Sequence, residues 1–337
     1  MESVKKILFD FLNLVNEHKN SVSDKIHLII PQKSIDTLYR VSDLMLNNPN
    51  DIYFERLSSY SQDVFKISIK KENLVLKINK KSSSHLLEKE LGILSLLEVS
   101  PQNIFFVPTT LGYYSCEYAE IILSTWVQDS QILSQIEINK DLLDKLALST
   151  LHIQRSLNIY THSGTHVNRA IEASTKILKF SNNFIGEGLD LKSEILKSGI
   201  IIPGIKRAGS FSDRSVENWL YTTNNSLYAL DFGLTTNGHP VEDWITLIDS
   251  MGFKTQFNFS REFLLDTFCS KIDEFKLSYD HCELVSIYRN VMQACLFYPL
   301  NKEKSLHHFQ KGIDSANRLS LDSIVEKILL LINKSLV

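Results

Sequence analysis

The spacing of apolar residues changes twice along the first half of the chain. Residues 4–15 and 35–46 carry apolar side chains at helical spacing, which predicts two helices. Short β-rich runs follow at residues 52–57, 64–69 and 74–78, and the polar turns between them predict a meander of strands. The pattern therefore predicts two helices followed by a small sheet.

Helical spacing then returns once before the chain becomes mainly helical. Leucines recur at this spacing over residues 84–97, with Ser84 as the predicted N-cap. Two more strands are predicted near residues 111–116 and 120–125. The polar segment 126–130 is the predicted crossing between two lobes.

From residue 141 onward the pattern is helical, except for two short apolar runs at residues 219–221 and 227–230. Helices are predicted over residues 142–153 and 171–180, and more follow residue 243. This order predicts an α+β fold with two lobes, a β-rich N-terminal lobe with one helix and a mainly helical C-terminal lobe. The predicted segments are an N-terminal helical extension, the β-rich lobe and the helical lobe, at residues 1–50, 51–128 and 129–337.

Composition narrows the class of protein without identifying it. The 337 residues are enough for one large domain or two lobes, and 43% of them are hydrophobic, as in a globular protein. A net charge of −3 argues against a dedicated nucleic-acid binder, and no apolar run approaches the ~20 residues of a membrane span. The charged, amphipathic N-terminus argues against a secretory signal. Four widely spaced cysteines without a C-x-x-C pair predict reduced thiols in a cytoplasmic protein.

Two carboxylates and an amide occur at a spacing that is typical of phosphoryl transfer. Asp213 precedes Asn218 by five positions, and Asp231 follows Asn218 by thirteen, directly before Phe-Gly. In such sites one carboxylate orients and deprotonates a hydroxyl, while the amide and the second carboxylate hold magnesium against nucleotide phosphates. The apolar runs 219–221 and 227–230 predict a hairpin that would bring Asn218 and Asp231 to the same end.

An ammonium and a carboxylate upstream complete the set. Lys77 interrupts an apolar strand and is expected to hold nucleotide phosphates, which requires a carboxylate partner. Without the downstream motif, Lys77 would be interpreted as a solvent-facing lysine of an edge strand. Glu90 is the preferred partner, because it lies near the helix face of Leu94 and Leu97 that would pack against the sheet. Glu88 is the alternative, since a shift of two positions turns it away from that face.

Together these segments resemble one branch of the protein-kinase-like superfamily, the aminoglycoside phosphotransferases and choline kinases. The resemblance covers about residues 52–250 and rests on LVLKI at 74–78, ELGILSLL at 90–97, LALSTLH at 146–152, DRSVEN at 213–218, DFG at 231–233 and HPVEDW at 239–244.

The resemblance implies a role for each polar group. Asp213 would be the catalytic base, and Asn218 and Asp231 would be the ligands of Mg²⁺. Lys77 with Glu90 would hold the phosphates of ATP or another nucleoside triphosphate. The β-rich lobe would then bind the nucleotide, and the helical lobe would carry out catalysis and bind the acceptor.

The chain departs from the family pattern at two places. Phe211 stands where the family usually has a His that braces the catalytic loop, and Asp243 is the expected structural brace of that loop. The predicted nucleotide loop, residues 57–63, contains no Gly, the residue that normally permits close backbone approach to phosphates. The hydroxyls of Ser58, Ser59 and Ser61 would donate hydrogen bonds to phosphate instead.

The resulting hypothesis is an ATP- and Mg²⁺-dependent phosphotransferase that acts on a hydroxyl of a small molecule. A small acceptor is favoured because the short run from Asp231 to Asp243 leaves little room for an activation loop. The alternative is a catalytically weak pseudokinase that serves as a binding or regulatory module, which the Gly-free loop and Phe211 favour.

The C-terminal hundred residues do not identify the acceptor. Their acidic residues are balanced by Lys and Arg, which does not favour a polycationic aminoglycoside. His307 and His308 are expected on an exposed helix surface. No nucleic-acid or membrane partner is expected, and the sequence does not indicate an oligomeric state.

Overall fold

In the computed structural model, the chain divides into two units, and the first is built from two separate stretches of sequence. The first unit comprises Met1–Ser130 and Thr222–Gly233, and the second comprises Gln131–Tyr221 and Leu234–Val337. The residues that the structure describes are 2–20, 28–57, 62–80, 86–98, 104–161, 166–167, 205–206, 208–210, 215–233, 236–238, 241–254, 259–271 and 278–335.

The predicted α+β fold is confirmed, with most strand residues in the N-terminal part and most helical residues in the C-terminal part. The helices are α1 Glu2–Asn20, α2 Ile35–Asn47, α3 Leu86–Glu98, α4 Lys140–Thr161, α5 Glu242–Lys254, α6 Arg261–Cys269, α7 Tyr279–Phe297, α8 Lys302–Arg318 and α9 Asp322–Ser335. The strands are β1 Leu28–Ile29, β2 Tyr53–Leu57, β3 Asp63–Ile69, β4 Glu72–Lys80, β5 Thr110–Ser115, β6 Ala119–Thr125, β7 Ser130–Ile132, β8 His166–Val167, β9 Ile205–Lys206, β10 Ala208–Ser210, β11 Trp219–Thr222, β12 Leu227–Ala229 and β13 Thr236–Gly238.

The first unit is built on a six-stranded sheet in the order β1-β5-β6-β4-β3-β2. Every neighbouring pair in this sheet is antiparallel, so the predicted meander β2-β3-β4 is present. The two-residue strand β1 was not predicted, because a run of this length gives no recognisable alternation. The predicted N-cap Ser84 and the predicted helix over residues 171–180 lie outside the described residues.

The two faces of this sheet carry different side chains. Along β4, Leu74, Leu76 and Ile78 belong to the large core that also contains apolar residues of α1 and α2. Successive side chains of a strand point to opposite faces, so Lys77 and Asn79 lie on the other face. Strand β4 therefore buries its apolar side chains on the face of α1 and α2 and carries Lys77 and Asn79 on the opposite face.

The first two helices are part of this core. The prediction treated residues 1–50 as an extension, whereas Leu8, Phe11, Leu12 and Val15 of α1 are all fully buried in one cluster with the sheet. Their removal from water stabilises the unit, since burying one such side chain contributes roughly 1.5–3 kcal/mol.

The second unit is mainly helical and contains a buried ionic cluster. Arg261 at the start of α6 donates to Asp249 of α5 and to Glu283 of α7, with both N–O distances 2.6 Å. The two carboxylates raise the pKa of Arg261 against the effect of burial, so the guanidinium stays charged. Among the described residues, no helix has the length and apolar character needed to cross a membrane.

Candidate functional site

Lys77 is held by the strand at the centre of the first unit. β4 lies between β3 and β6 in the sheet, and Lys77 is paired with Val64 on one side and Ile122 on the other. The strand buries its even-numbered apolar residues against the large core, which directs the Lys77 side chain to the opposite face. Lys77 is therefore not an edge-strand lysine, and its side chain is only 18% exposed.

Helix α3 brings a carboxylate to Lys77. Leu87 and Leu91 of α3 form a small buried cluster with Tyr113 and Ile122, which packs the helix on the same face of the sheet as Lys77. Glu90 lies on this face of α3, and its Oε1 is 2.6 Å from the Lys77 Nζ. The structure therefore pairs Lys77 with the preferred partner Glu90.

The alternative partner has a different environment. Glu88 is exposed, whereas the Glu90 side chain is only 2% exposed. Successive residues of a helix are about 100° apart, so two positions turn Glu88 well away from the sheet. The observed pairing follows from the apolar face of α3.

Burial dominates the electrostatics of this pair. It raises the pKa of the Glu90 carboxyl, and the nearby Asp231 carboxylate adds to this rise, while the Lys77 ammonium opposes it. Because the pair is largely withdrawn from water, Lys77 is held in one position as a preorganised cation.

Asp231, Phe232 and Gly233 lie beside the same carboxylate. The Phe232 N–H donates to Glu90 Oε1 over 3.5 Å, and the Phe232 side chain is fully buried. Asp231 has a φ of 55°, in the left-handed region, which Asp adopts more readily than most residues. A Cβ built on Gly233 would lie 3.5 Å from Gln62 Nε2 and 3.8 Å from Asp231 Oδ1. The structure thus brings the DFG segment, Glu90 and the end of the predicted nucleotide loop together in one unit.

A tight turn separates the two strands that precede this segment. The Thr222 N–H donates to Ser226 O over 3.0 Å, and the Asn225 N–H donates to Thr222 O over 2.9 Å. Asn225 has a φ of 63°, which turns commonly require. The strands β11 and β12 flank this turn, as the sequence predicted.

Asn218 and Asp243 belong to the second unit. Asn218 ends a short 3₁₀ helix that follows Ser215, and its side chain is half-buried. The Val216 N–H of that helix donates to Ser250 Oγ of α5. Asp243 in the first turn of α5 is 1% exposed and accepts a hydrogen bond from Gln154 of α4 over 3.0 Å. Asp243 therefore joins α4 to α5, and its role as a brace of the catalytic loop stays a prediction.

Several predicted site residues lie outside the described residues: Phe211, Asp213, Ser59 and Ser61. Their roles stay predictions.

The described residues offer donors that suit a nucleotide phosphate and a magnesium ion. Lys77 supplies a fixed positive charge, and Asp231 supplies a half-buried carboxylate close enough to affect Glu90. Hard cations such as Mg²⁺ are bound by one or two carboxylates together with phosphate oxygens. Among the described residues, no group of three or more His, Cys, Asp or Glu side chains forms a metal cluster.

Two charged groups, one in each unit, were missed by the sequence analysis. Glu120 on β6 is completely buried on the Lys77 face of the sheet, and Arg261 forms the ionic cluster of the second unit. A carboxylate inside the apolar run Ala119–Leu123 was a detectable signal for Glu120. No comparable local signal marked Arg261, because its partners lie on other helices.

Solved structures of small-molecule kinases have the same fold. The choline kinase LicA from Streptococcus pneumoniae is 14% identical over 85% of this chain and 99% of that chain, with a TM-score of 0.54. The ethanolamine kinase of Plasmodium vivax is 11% identical over 90% of this chain and 93% of that chain, with a TM-score of 0.56. The amicoumacin kinase hAmiN in complex with AMP-PNP, Ca²⁺ and Ami is 12% identical over 86% of this chain and 96% of that chain, with a TM-score of 0.53.

No family model and no curated protein matches the sequence. At these identities the structural likeness establishes the fold. The chain shares the fold of these solved kinases and of a solved spectinomycin phosphotransferase, which is the fold that the sequence resemblance implied.

Proposed function

We propose that the chain transfers the γ-phosphoryl group of ATP, or of another nucleoside triphosphate, to a hydroxyl of a small molecule. The observation that carries this proposal is the arrangement around Glu90, which pairs with Lys77 at 2.6 Å and accepts from the Phe232 N–H beside Asp231. Phosphoryl transfer depends on positioned positive charge and a metal-binding carboxylate more than on covalent chemistry by the protein.

Asp213 is the proposed catalytic base. Its carboxylate would orient the acceptor hydroxyl and take its proton as the acceptor oxygen attacks the γ-phosphorus. The bond between that phosphorus and the bridging oxygen breaks, so the nucleoside diphosphate leaves with the bonding electron pair. Lys77 would bind the α- and β-phosphates throughout, which limits the motion of the donor.

Asn218 and Asp231 are the proposed ligands of Mg²⁺. When bound, the ion would offset the negative charge that develops on the transferred group and on the leaving diphosphate. The amide and the carboxylate would also fix the position of the phosphates relative to Lys77.

A small acceptor is supported by the short path after the DFG segment. Helix α5 begins at Glu242, nine residues after Gly233, and the strand β13 occupies part of that interval. Protein kinases need a longer activation loop there to bind a peptide. The structural neighbours named for choline, ethanolamine and amicoumacin kinase activity agree with a small hydroxyl compound.

A thermal-shift titration with ATP, with and without Mg²⁺, tests the proposal on the wild type and on Asp231→Asn. A ligand that binds only the native state stabilises it by about 2.7 kcal/mol at a hundred times its Kd, which raises the melting temperature. Asn is chosen because it tolerates the left-handed backbone of residue 231 while it removes the charge. We expect a magnesium-dependent shift in the wild type that the variant loses.

Asp51→Asn is the matched control, because Asp51 is an exposed carboxylate in the same unit. This variant should keep the magnesium-dependent shift. If the wild type shows no shift at millimolar nucleotide, the phosphotransferase proposal is wrong. The Gly-free loop would then favour the alternative, a pseudokinase that acts as a binding module.

A further inference from the structure

A second buried carboxylate lies on the side of the sheet that carries Lys77. Glu120 of β6 has no exposed surface, and the residues that follow it, Ile121, Ile122 and Leu123, are also buried. Burying an ionisable group costs free energy unless its hydrogen-bonding capacity is met. The position therefore requires partners, and the structure provides them.

The register of the sheet places Glu120 and Lys77 on one face. In the pairing of β4 with β6, Lys77 lies opposite Ile122 and Asn79 lies opposite Glu120. Each pair is two positions from the other along its strand, so all four side chains share a face. This is the face that α3 covers, because Ile122 packs against Leu87 of that helix.

Glu120 accepts hydrogen bonds from both the sheet and the helix. Its Oε2 accepts from Asn79 Nδ2 over 3.1 Å, and its Oε1 accepts from the Tyr113 hydroxyl over 3.1 Å. Burial raises the pKa of that hydroxyl, so Tyr113 remains a donor. The Glu120 Oε2 also accepts from the backbone N–H of Leu87 over 3.4 Å.

The Leu87 N–H belongs to the first turn of α3, where backbone donors have no partner inside the helix. The amino end of a helix carries a partial positive charge, which a carboxylate stabilises. Glu120 therefore acts on α3 both as a hydrogen-bond acceptor and as a negative charge at the favourable end of the helix.

Leu87 and Glu90 are three residues apart, so they lie on one face of α3. The helix is thus fixed to the sheet at two points about one turn apart, by Glu120 at Leu87 and by Lys77 at Glu90. We propose that Glu120 is a positioning residue: it holds the first turn of α3 so that Glu90 meets Lys77 and keeps that ammonium in place for phosphate. The effect of Glu120 on phosphate binding rests on the proposed phosphotransferase activity. The anchoring of α3 by Glu120, which is its hydrogen bond to the first turn of the helix, does not rest on that activity.

The anchoring is tested without any ligand, by the rate at which an acetylating reagent modifies individual lysines, measured by mass spectrometry. Lys77 is 18% exposed and paired with Glu90, whereas Lys80 is 82% exposed and serves as the internal reference. Glu120→Met removes both acceptor oxygens at similar side-chain length. Glu120→Gln keeps one of them and remains informative if the Met variant does not fold.

Glu98→Met is the matched control at the other end of α3. Glu98 is also a largely buried carboxylate, pairs with Lys33 and accepts from the Thr110 N–H. We expect Lys77 to be acetylated about fivefold faster in Glu120→Met than in the wild type, because, of the three hydrogen bonds that this variant loses, the one from the Leu87 N–H is the bond that holds α3. The rate of Lys77 acetylation in Glu120→Gln should lie between those of the wild type and Glu120→Met, and the rate in Glu98→Met should equal that of the wild type. Lys80 should be acetylated at the same rate in all four proteins.

An unchanged Lys77 rate in both Glu120 variants would overturn the proposal, as would an equal rise in Glu98→Met. The functional part is tested by ATP affinity in single and double variants. Because Glu120 would act through Glu90, Glu120→Met alone should weaken ATP binding. In a protein that already carries Glu90→Gln, the same substitution should cause little further loss of ATP affinity. Additive effects would show that Glu120 does not act through Glu90. If the wild type binds no nucleotide, the proposed function fails, while the lysine rates still decide whether Glu120 anchors α3.

Discussion

At the scale of single residues, the local sequence indicates which face a side chain occupies only when the helix or strand that carries it has a regular apolar pattern. Glu90 could be assigned to the buried face of α3 because Leu94 and Leu97 continue that face. His308 could not be assigned in the same way. It was expected on an exposed helix surface, but it is only 6% exposed in α8.

His308 is held in a polar core. Its Nδ1 donates to Asn290 Oδ1 over 2.9 Å, since the Asn290 Nδ2 already donates to Asp249, and its ring stacks on Phe297. The prediction of an exposed His308 was wrong, because α7 and α8 pack closely and bury a polar residue that has a partner.

Burial of His308 makes stability depend on pH. Desolvation, with His307, Lys304 and Arg289 nearby, lowers the pKa of His308 to about 3, although Asp249 opposes this. The unfolded chain, with a His pKa near 6.5, then binds more protons than the native state between these values. His308 therefore favours the native state fully above about pH 6.5, and this contribution is lost as the pH falls.

We expect the free energy of unfolding of the wild type to fall more steeply than that of His308→Gln between pH 7 and pH 5. Gln keeps a donor for Asn290 and does not titrate, so the difference between the two proteins isolates the imidazole. Urea unfolding at each pH measures it. A difference that stays constant with pH would contradict a buried neutral His308.

At the scale of elements, α1 and α2 can pack closely on the sheet because residue 112 of β5 is a glycine. A Cβ added to Gly112 of β5 would lie 2.9 Å from Phe11 Cζ and 3.1 Å from Leu38 Cδ2. The register of β5 with β6 also shifts between Thr110 and Gly112, as at a β-bulge. The close packing of two helices on this strand therefore requires glycine.

Gly112→Ala should destabilise the protein by about 1–3 kcal/mol, because the added methyl group overfills a packed core. Gly312→Ala is the matched control. That glycine lies within α8, where its nearest side-chain atom would be 3.2 Å away and where Ala favours the helix by roughly 0.5–1 kcal/mol. Calorimetric melting temperatures of both variants measure the effect. If Gly112→Ala melted at the same temperature as Gly312→Ala, α1 would have to move away from residue 112 at little cost in free energy.

At the scale of the whole molecule, the first unit is completed by residues far along the chain. Residues 222–233 belong to this unit although about ninety residues of the second unit separate them from Ser130. The Phe106 N–H donates to Leu227 O over 2.8 Å, and the Ala229 N–H donates to Phe106 O over 2.9 Å. This segment also brings Phe232 to Glu90.

A fragment of residues 1–130 should therefore melt at a lower temperature than the same fragment joined to residues 222–233 by a flexible Gly-Ser linker. The shorter fragment leaves the Phe106 backbone groups unpaired and exposes the site of Phe232, and each lost hydrogen bond costs about 0.5–1.5 kcal/mol. Circular dichroism melts of both fragments measure the difference. Identical melts would show that residues 222–233 do not stabilise the first unit.

The sequence by itself determined the elements whose periodicity is strong. The strands β3, β4 and β6 and the helices α1 and α2 were predicted within a few residues, because burial of one face imposes a regular apolar pattern. The apolar face of α3 also favoured Glu90 over Glu88 as the partner of Lys77, whereas the choice of Lys77 itself depended on the motif at residues 213–233.

Only the tertiary structure decided which distant groups share a buried environment. The contact of Glu120 with the first turn of α3, the burial of His308 and the packing of Phe11 on Gly112 each join residues from separate elements. No local pattern encodes them, because their free energy comes from desolvation and close packing between elements that meet only in the folded chain.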